Sequence, residues 1–320
     1  MKLTMLYSFL KADIDLIEKE LELAISSTSP SLRDASLHLL QAGGKRIRPV
    51  FVLLAAKFGD YKIDRVKNVA VALELIHMAS LVHDDVIDNA DIRRGKPTVK
   101  AEWDNRVAMY TGDYIFARAL EYMADIENVE AHRILSNAMV ELCVGEINQI
   151  KDKYRFDQNL RDYLRRIKRK TAILIATSCQ IGAISSNVPK QVHEKLYQFG
   201  YNVGMAFQIT DDILDFTATE AELGKPAGSD LWQGNVTLPA LYALEDDRMR
   251  EKIIRVNKHT PKSEMDEIIT HMKQSDVIDR SHALSQRYLS RALHILDELP
   301  ANRTKKTLRD IAKFIGKRKY

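Results

Sequence analysis

Apolar side chains recur along this chain with the spacing of helices rather than that of strands. Residues three and four positions apart are repeatedly apolar, whereas few segments alternate with a period of two. The clearest helical stripe, within residues 64–87, contains Val66, Val69, Ala70, Leu73 and Ile76. Small and apolar residues also flank this stripe, so we expect that helix to be buried on most sides. Since no Pro/Gly/Ser-rich linker divides the 320 residues, the pattern predicts an all-α fold with residues 1–320 as a single domain.

Two copies of one acidic signature follow apolar helical runs. Residues 84–88 read Asp-Asp-Val-Ile-Asp, and residues 211–215 read Asp-Asp-Ile-Leu-Asp. On a helix, residues four apart share a face, so the outer aspartates of each copy project together and repel unless a cation lies between them. Clustered carboxylates suit Mg²⁺, which usually shares its coordination shell with substrate phosphates. The signature therefore predicts a magnesium site where Asp84 with Asp88, and Asp211 with Asp215, project together.

Basic residues stand where two helical patterns meet, in Gly43-Gly44-Lys45-Arg46-Ile47-Arg48-Pro49. The glycines end one helix, and proline suits the first turn of the next. Lys45 and Arg48 then lie near a helix N-terminus, where both the cations and the free N–H groups favour a phosphate. The alternative is a plain interhelix turn with solvated cations.

A second basic segment follows the first acidic signature and reads Asp91-Ile92-Arg93-Arg94-Gly95-Lys96-Pro97-Thr98. Adjacent arginines beside a magnesium site could clamp two separate phosphates, although one of them could simply balance the charge of Asp88 and Asp91. After the second acidic signature, residues 223–230 form a Gly-rich loop that carries Lys225 and has the character of a lid over bound phosphate.

Composition excludes several other classes of function. The formal net charge of +4 comes without a broad basic stripe, so no nucleic-acid partner is expected, and the run at residues 165–170 is interpreted as a mostly solvated helix face. The two cysteines, Cys143 and Cys179, lie in apolar helical context and predict buried, reduced thiols and a cytoplasmic protein. The N-terminus lacks the pattern of a signal peptide. Residues 171–186 are too short and too polar for a transmembrane segment.

Taken together, these motifs resemble those of the trans-polyprenyl diphosphate synthases, in family order and spacing over nearly the whole chain. The resemblance rests on Gly-Gly-Lys-Arg-x-Arg-Pro, the two aspartate signatures, Arg-Arg-Gly, Lys-Thr-Ala and the later Gly-Lys. It implies an isoprenoid synthase-type helical bundle around a central catalytic cavity. It also implies a prenyltransferase that condenses isopentenyl diphosphate with an allylic diphosphate such as farnesyl diphosphate to give a long trans-polyprenyl diphosphate.

Within the family, the chain most closely resembles the catalytic subunits of bacterial two-component synthases that make heptaprenyl diphosphate. That resemblance implies a small, non-homologous partner subunit and hence a heterodimer, with a homodimer as the other possibility. It further implies a role in making a quinone side chain, such as that of menaquinone.

The family resemblance also implies roles for individual residues. Asp84, Asp88 and Asp211 would be the main Mg²⁺ ligands, with Asp85, Asp212 and Asp215 in support. The groups that hold the allylic diphosphate would be Arg93, Lys170, Gln208 and Lys225, with Thr171 lining the pocket. The groups that bind the diphosphate of isopentenyl diphosphate would be Lys45, Arg48, His77 and Arg94. The tail cations Arg318 and Lys319 could help to close the site.

One position departs from the family pattern. Many members have Gly-Lys-x-Thr-Leu-Pro where this chain has Gly234-Asn235-Val236-Thr237-Leu238-Pro239. Asn235 cannot supply the cation expected there, so one contact to the allylic diphosphate is weakened. Either a partner subunit completes the site, or the remaining cations suffice.

The chemistry that the resemblance implies is electrostatic. Three Mg²⁺ ions would neutralise the allylic diphosphate so that its C–O bond ionises, after which the isopentenyl double bond attacks the cation. The growing product needs an apolar tunnel below the first aspartate signature. Ala79 and Ser80 lie about one helical turn before Asp84, and Ile76 lies a turn deeper. In the family that the chain resembles, bulky aromatics near Ala79 and Ser80 block elongation early, so the small size of these two residues predicts a long product. Small residues also permit close helix packing, which is the alternative.

Two rival functions are weighed against the synthase. A class I terpene cyclase also uses an aspartate-rich Mg²⁺ site, but it binds one diphosphate and would leave Lys45, Arg48 and Arg94 without a purpose. The other rival is a subunit that is inactive until a small partner joins it. The intact aspartates argue against a purely regulatory subunit, because clustered carboxylates are costly to keep.

Overall fold

The computed structural model describes residues 3–220 and 226–317, and these residues form an all-α fold, as predicted. The helices of the first part of the chain are α1 Leu3–Leu6, α2 Lys11–Ala24, α3 Pro30–Gln41, α4 Ile47–Ala56, α5 Ile63–Ile87, α6 Val99–Glu102, α7 Asn105–Ala124 and α8 Val129–Asp152. A 3₁₀ turn, Ser8–Leu10, precedes α2, and a hairpin of strands β1 Ile92–Arg93 and β2 Lys96–Pro97 follows α5. The predicted helix at residues 64–87 is therefore confirmed to within one residue.

The second part of the chain is also helical. Its helices are α9 Leu160–Ile167, α10 Ile173–Ile184, α11 Lys190–Thr217, α12 Ser229–Trp232, α13 Leu238–Ala243, α14 Asp247–Ile253, α15 Lys262–Gln274, α16 Val277–Asp297 and α17 Arg303–Gly316. A π-helical turn, Lys168–Ala172, connects α9 directly to α10. Lys225, Arg318 and Lys319 lie outside the described residues.

The chain groups into two compact units. Unit 1 comprises Met1–Leu135, Thr177–Tyr197 and Pro300–Thr307. Unit 2 comprises Ser136–Ala176, Gln198–Leu299 and Leu308–Tyr320. The single domain expected for residues 1–320 stays a prediction.

Helix α5 is the core element of unit 1. It packs against α2, α4 and α7, and its buried residues lie on nearly every side of the helix between Val66 and Val82. A helix that is apolar almost all round must be covered by other elements. The first acidic signature occupies its last turn, so a rigid, buried helix fixes the position of Asp84 and Asp85.

The hairpin after α5 has a two-residue turn. Arg93 pairs with Lys96 across it, and the central residues Arg94 and Gly95 have φ values of +53° and +76°. Positive φ at both central positions matches the right-handed twist of paired strands, and Asn-Gly is the usual sequence there. An arginine in the left-handed region is uncommon and carries strain. The hairpin therefore fixes the direction of Arg94 at some cost.

In unit 2, the helical run that starts with α9 is anchored at its first residue. The Asn159 side chain accepts hydrogen bonds from the backbone N–H groups of Arg161 and Asp162, and the Asp162 carboxylate accepts one from the Asn159 N–H. This reciprocal cap satisfies backbone donors that a helix start leaves unpaired. It fixes the start of the run that leads into the π-helical turn.

The cysteine prediction is half right. Cys179 is buried, and burial raises the pKa of its thiol. The prediction was wrong for Cys143, which is exposed because α8 turns that face outward. Within the described ranges, no helix has the length and apolar character needed to cross a membrane.

Candidate active site

The first acidic cluster divides into partly exposed and buried carboxylates. Asp84 and Asp88 are partly exposed, whereas Asp85 is 2% exposed. The guanidinium of Arg93 contacts one oxygen of Asp85, with its Nε 2.8 Å and one terminal nitrogen 2.7 Å away. Burial raises the pKa of Asp85, while the hydrogen bond from Arg93 opposes that shift. Arg93 thus holds Asp85 in place beneath its two more exposed neighbours.

A cluster of cations surrounds Glu74, which is 3% exposed on α5. The Arg46 guanidinium donates to Glu74 Oε1 at 3.2 Å and to Glu18 Oε1 at 2.5 Å. Arg48 and Arg94 are close enough for their charges to influence each other: burial lowers the pKa of Arg48 to about 10, Glu74 partly restores it, and Arg94 lowers it further. Among the described residues, Arg48 Nε and Glu74 Oε2 are buried without a hydrogen-bond partner.

Two arginines of this cluster have left-handed backbones. Arg46, the residue before α4, has φ +46°, and Arg94 has φ +53°. The Arg94 guanidinium lies so close to Gly44 that a Cβ added there would be 2.9 Å from one of its nitrogens. Strained backbone of this kind concentrates at functional sites. The structure therefore brings the Gly43–Pro49 segment and the hairpin arginine together, as their predicted common ligand requires.

His77 lies among the same arginines. Its pKa is lowered well below the usual value by burial first and then by the positive charges of Arg48 and Arg94. A neutral imidazole can donate one hydrogen bond to a phosphate while adding no further charge to a crowded positive site. Lys45 stands next to these groups in sequence, and its backbone carbonyl accepts a hydrogen bond of 3.2 Å from the Tyr7 hydroxyl.

The second acidic cluster, in unit 2, is organised by a chain of hydrogen bonds. The Thr171 hydroxyl donates to Gln208 Oε1 at 2.6 Å, and Gln208 Nε2 donates to Asp212 Oδ1 at 2.8 Å. The Tyr163 hydroxyl donates to Asp212 Oδ2 at 2.7 Å. Burial, together with the charges of Asp230 and Asp211, raises the pKa of Asp212 to about 7 against these hydrogen bonds. Both oxygens of Asp212 are thus engaged, while Asp211 is partly exposed.

Asp215 anchors residues 228–230, near the start of the second described range. Its Oδ1 accepts from the Ser229 hydroxyl at 3.1 Å and its Oδ2 from the Asp230 N–H at 3.2 Å. Its backbone carbonyl accepts from the Gly228 N–H at 2.7 Å. The carboxylate therefore holds one end of the predicted lid loop, and Lys225 of that loop lies outside the described residues.

Lys170 and Thr171 belong to the π-helical turn between α9 and α10. The ammonium group of Lys170 donates to Gln149 Oε1 on α8 at 3.0 Å. π-Helical turns inside α-helices are rare and often occur at functional sites. The Lys-Thr pair is thus presented by irregular backbone rather than by a regular helix.

At the departure from the family pattern, the structure places a buried arginine nearby. Asn235 donates its backbone N–H to the Asp230 carbonyl at 2.8 Å. Arg166, 8% exposed, donates to the backbone carbonyl of Val236 and to Gln158 Oε1. The interpretation of its basic run as a mostly solvated face therefore fails for Arg166, because these two acceptors hold it inside.

The three residues expected to control product length differ in burial. Ile76 and Ala79 are fully buried on α5. Ser80 is partly exposed, and its hydroxyl donates to the His77 carbonyl at 2.8 Å. The hydroxyl is satisfied by its own helix, so Ser80 presents mainly its small volume.

Four residues of these networks were missed from the sequence: Arg46, Glu74, Gln149 and Tyr163. The clearest signal was Glu74, a lone acid within an apolar helical run. An ionised carboxylate there needs a buried cation as partner. No comparable signal marks Tyr163 or Gln149, whose roles depend on which helix packs against them.

Each cluster of carboxylates, taken by itself, has the oxygen donors that suit a hard divalent cation. Asp84 and Asp88 present oxygens from one helix face, Asp211 is partly exposed, and the buried aspartates are oriented by hydrogen bonds. Such outer contacts fix the ligands of metal sites. In the part of the chain that is described, no three His, Cys, Asp or Glu side chains already converge on a common point.

Comparison with known proteins identifies the family of the chain. Residues 29–272 match the family "Polyprenyl synthetase". The chain is 63% identical, over all 320 residues and the whole of both chains, to heptaprenyl diphosphate synthase component 2 of Geobacillus stearothermophilus. The crystal structure of heptaprenyl diphosphate synthase from Staphylococcus aureus superposes with a TM-score of 0.93 at 44% identity, covering 97% of this chain and 98% of that one.

A second solved structure carries ligands. Polyprenyl synthase from Caulobacter crescentus CB15, complexed with calcium and isoprenyl diphosphate, superposes with a TM-score of 0.94 at 31% identity, covering 99% of this chain and 98% of that one. The chain belongs to the polyprenyl synthetase family, which confirms the resemblance found in its motifs. It is a prenyltransferase, and its family uses a divalent metal ion.

Proposed function

We propose that this protein condenses isopentenyl diphosphate with an allylic diphosphate, such as farnesyl diphosphate, to make heptaprenyl diphosphate. The observation that carries the proposal is the cation cluster of Arg46, Arg48 and Arg94 around a single buried carboxylate, Glu74. The positive charges exceed the negative charge at its centre, and Arg48 Nε is buried without a partner among the described residues. Burying an unpaired charged donor is costly, so an anion is the expected occupant.

The diphosphate of isopentenyl diphosphate fits this cluster. Arg48 and Arg94 supply planar donors that match phosphate oxygens, and Lys45 stands beside them at the start of α4. His77, neutral because of its neighbours, donates one hydrogen bond. A terpene cyclase binds only one diphosphate and would not need this site.

The aspartate clusters would hold the metal, and Mg²⁺ is the ion we propose. Asp84, Asp88 and Asp211 are the partly exposed members and would be direct ligands. Asp85, Asp212 and Asp215 are buried and engaged with Arg93, Tyr163 and Ser229, so they would support the ligands. When bound, the metal neutralises the charge that builds up on a departing diphosphate.

The allylic diphosphate would be held by Arg93, Lys170, Gln208 and Lys225. Thr171 orients Gln208 through its 2.6 Å hydrogen bond and would line the same pocket. Arg93 also keeps Asp85 in position. The protein's part in the chemistry is thus to bind and orient two diphosphates. Its cationic side chains stabilise the negative charge that develops on the leaving diphosphate.

We propose further that the protein works as the catalytic half of a two-component enzyme. Its relative in Geobacillus stearothermophilus is named component 2 of such an enzyme. Helix α8 carries an exposed apolar stripe of the kind a partner covers: Val140 (61% exposed), Val144 (39%), Ile147 (54%) and Ile150 (44%). A homodimer is the alternative, and a cytoplasmic location is expected for either assembly.

Product length tests the proposal directly. Purified protein is incubated with farnesyl diphosphate, labelled isopentenyl diphosphate and Mg²⁺, with and without extract from the host cell, and products are separated by chain length. Heptaprenyl product only with extract supports the two-component enzyme, and heptaprenyl product from the protein alone supports a self-sufficient synthase. No incorporation under either condition, or a cyclic hydrocarbon, would overturn the synthase assignment. An Asp84→Ala sample serves as the inactive control.

A further inference from the structure

The π-helical turn Lys168–Ala172 lies against two glycines of unit 2. A Cβ added at Gly145 of α8 would be 2.7 Å from the Cβ of Arg169. A Cβ added at Gly204 of α11 would be 2.6 Å from the Cα of Ala172 and 3.1 Å from its Cβ. Carbon atoms do not approach this closely without a shift, since favourable contacts begin at about 3.5 Å. Each helix therefore reaches the turn only because it has no side chain there.

The same two helices supply the side chains that contact the turn. Gln149 lies four residues after Gly145 and accepts the hydrogen bond from Lys170 at 3.0 Å. Gln208 lies four residues after Gly204 and accepts the hydrogen bond from Thr171 at 2.6 Å. Residues four apart share a helix face. Both helices thus use one local pattern, Gly-x-x-x-Gln, in which the glycine sets the approach and the glutamine makes the contact.

We propose that these two Gly-x-x-x-Gln segments form a positioning device for the Lys170-Thr171 pair, with Gly145, Gly204 and Gln149 as positioning residues. The proposal rests on the proposed function, in which Lys170 and Thr171 serve the allylic diphosphate. The π-helical turn adds one residue to the helical repeat and so displaces Lys170 and Thr171 from regular helical positions. Close packing at Arg169 and at Ala172, the two residues that bracket the pair, then fixes the direction in which the pair points.

The expected consequence of adding a methyl group is a displacement of the turn. Restoring ordinary contact at either glycine needs a movement of roughly 1 Å, and a misplacement of that size can cost about 10²-fold in rate. Alanine is itself a better helix former than glycine. Any loss in Gly145→Ala or Gly204→Ala therefore comes from the added atom and not from weaker helices.

The test is steady-state kinetics on both substrates, with the partner supplied if the wild type requires it. In Gly145→Ala and Gly204→Ala, kcat/KM for farnesyl diphosphate should fall by about 10²-fold, while KM for isopentenyl diphosphate should stay within about 2-fold of wild type. A matched control is Gly182→Ala in α10, where the added Cβ would be 2.5 Å from the Val52 carbonyl oxygen. The methyl group added in that variant approaches backbone atoms equally closely, but kcat/KM for the allylic substrate should not fall selectively.

A rescue experiment separates steric positioning from general damage. Adding Arg169→Gly to Gly145→Ala removes the atom that the new methyl group meets and should restore most of the allylic kcat/KM. Adding Arg169→Ala instead removes the same ion pair with Glu141 but keeps the Cβ, so it should not restore activity. For Gly204→Ala, Ala172→Gly should fail to rescue, because the Cα of residue 172 still lies 2.6 Å away.

The outcomes distinguish failure of the proposed function from failure of the positioning device. A wild type without turnover would overturn the proposed function itself. The positioning device would be overturned if the wild type is active and Gly145→Ala and Gly204→Ala retain their kcat/KM for farnesyl diphosphate. It would also be overturned if kcat/KM falls equally for both substrates. If an alanine variant does not fold, Gln149→Leu removes the acceptor for Lys170 without a backbone clash, and it should raise KM for farnesyl diphosphate alone. An unchanged allylic KM in Gln149→Leu would also count against the device.

Discussion

Replacing Arg46 by methionine should destabilise unit 1 strongly, because it leaves Glu74 charged and buried. The Arg46 guanidinium is 7% exposed and the Glu74 side chain 4% exposed, with 3.2 Å between their nearest atoms. Methionine fills a similar apolar volume and keeps the left-handed backbone of residue 46 equally strained. The variant therefore removes mainly the charge and its hydrogen bonds.

The magnitude follows from the burial of each partner. Removing one member of a buried ion pair typically costs about 3–5 kcal/mol, because the other charge stays desolvated. The contact with Glu18, which is 36% exposed, adds at most about 1 kcal/mol. We therefore expect the free energy of unfolding to fall by about 4 kcal/mol in Arg46→Met. Glu74→Gln keeps Arg46 paired with Glu18 and should cost about 1–2 kcal/mol.

Urea unfolding of the wild type, both single variants and the double variant measures the coupling. In the double variant the buried ion pair of residues 46 and 74 is absent as a whole, so neither of its members is left without the other, and the loss should be smaller than the sum of the single losses by about 2 kcal/mol or more. Equal m-values across the four proteins would show that the unfolding transitions are comparable. Additive losses, within about 0.5 kcal/mol, would refute the view that Arg46 stabilises the fold through Glu74.

Four further outcomes are expected. Asp84→Asn should lower kcat by about 10²-fold or more, since a proposed metal ligand is lost, and an unchanged kcat measured at saturating Mg²⁺ would contradict this. Ala79→Tyr should shorten the product without altering the Mg²⁺ dependence, and product of unchanged length would contradict the tunnel. Tyr163→Phe should raise the Mg²⁺ concentration for half-maximal activity by about 10-fold to 100-fold, because Asp212 loses an orienting hydrogen bond; the same titration curve as wild type would count against it. His77 has a lowered pKa in the folded state, so the unfolded chain binds more protons just below pH 6.5. The free energy of unfolding, measured in urea, should therefore fall as the pH drops through that range. His77→Gln should make this pH dependence less steep.

Helices and motifs were predictable from the sequence where one local pattern of residues determines them. The apolar period located α5 to within one residue, and the aspartate signatures marked its last turn and a stretch within α11. The basic segment was expected to begin a helix, and α4 begins at Ile47. These features depend on local spacing, which a sequence displays directly.

Features that depend on packing were not predictable in the same way. The π-helical turn at Lys168–Ala172 lies where α8 and α11 pack closely against one helical run, and no residue pattern within the run predicts it. The exposure of Cys143 depends on which face of α8 is covered. The Tyr163–Asp212 hydrogen bond joins residues 49 positions apart. Each of these follows from tertiary neighbours rather than from local preference.

The left-handed Arg94 has a consequence for how this protein could be engineered. At the first central position of a two-residue hairpin turn, asparagine followed by glycine is the preferred pair, and here glycine already stands second. A procedure that selects mutations by thermal stability alone would therefore favour Arg94→Asn and count it as an improvement. The same change would remove a cation from the cluster around Glu74. Thermostability screens of this enzyme thus need a parallel selection for turnover, because the more stable hairpin would lack the arginine that we propose binds a diphosphate.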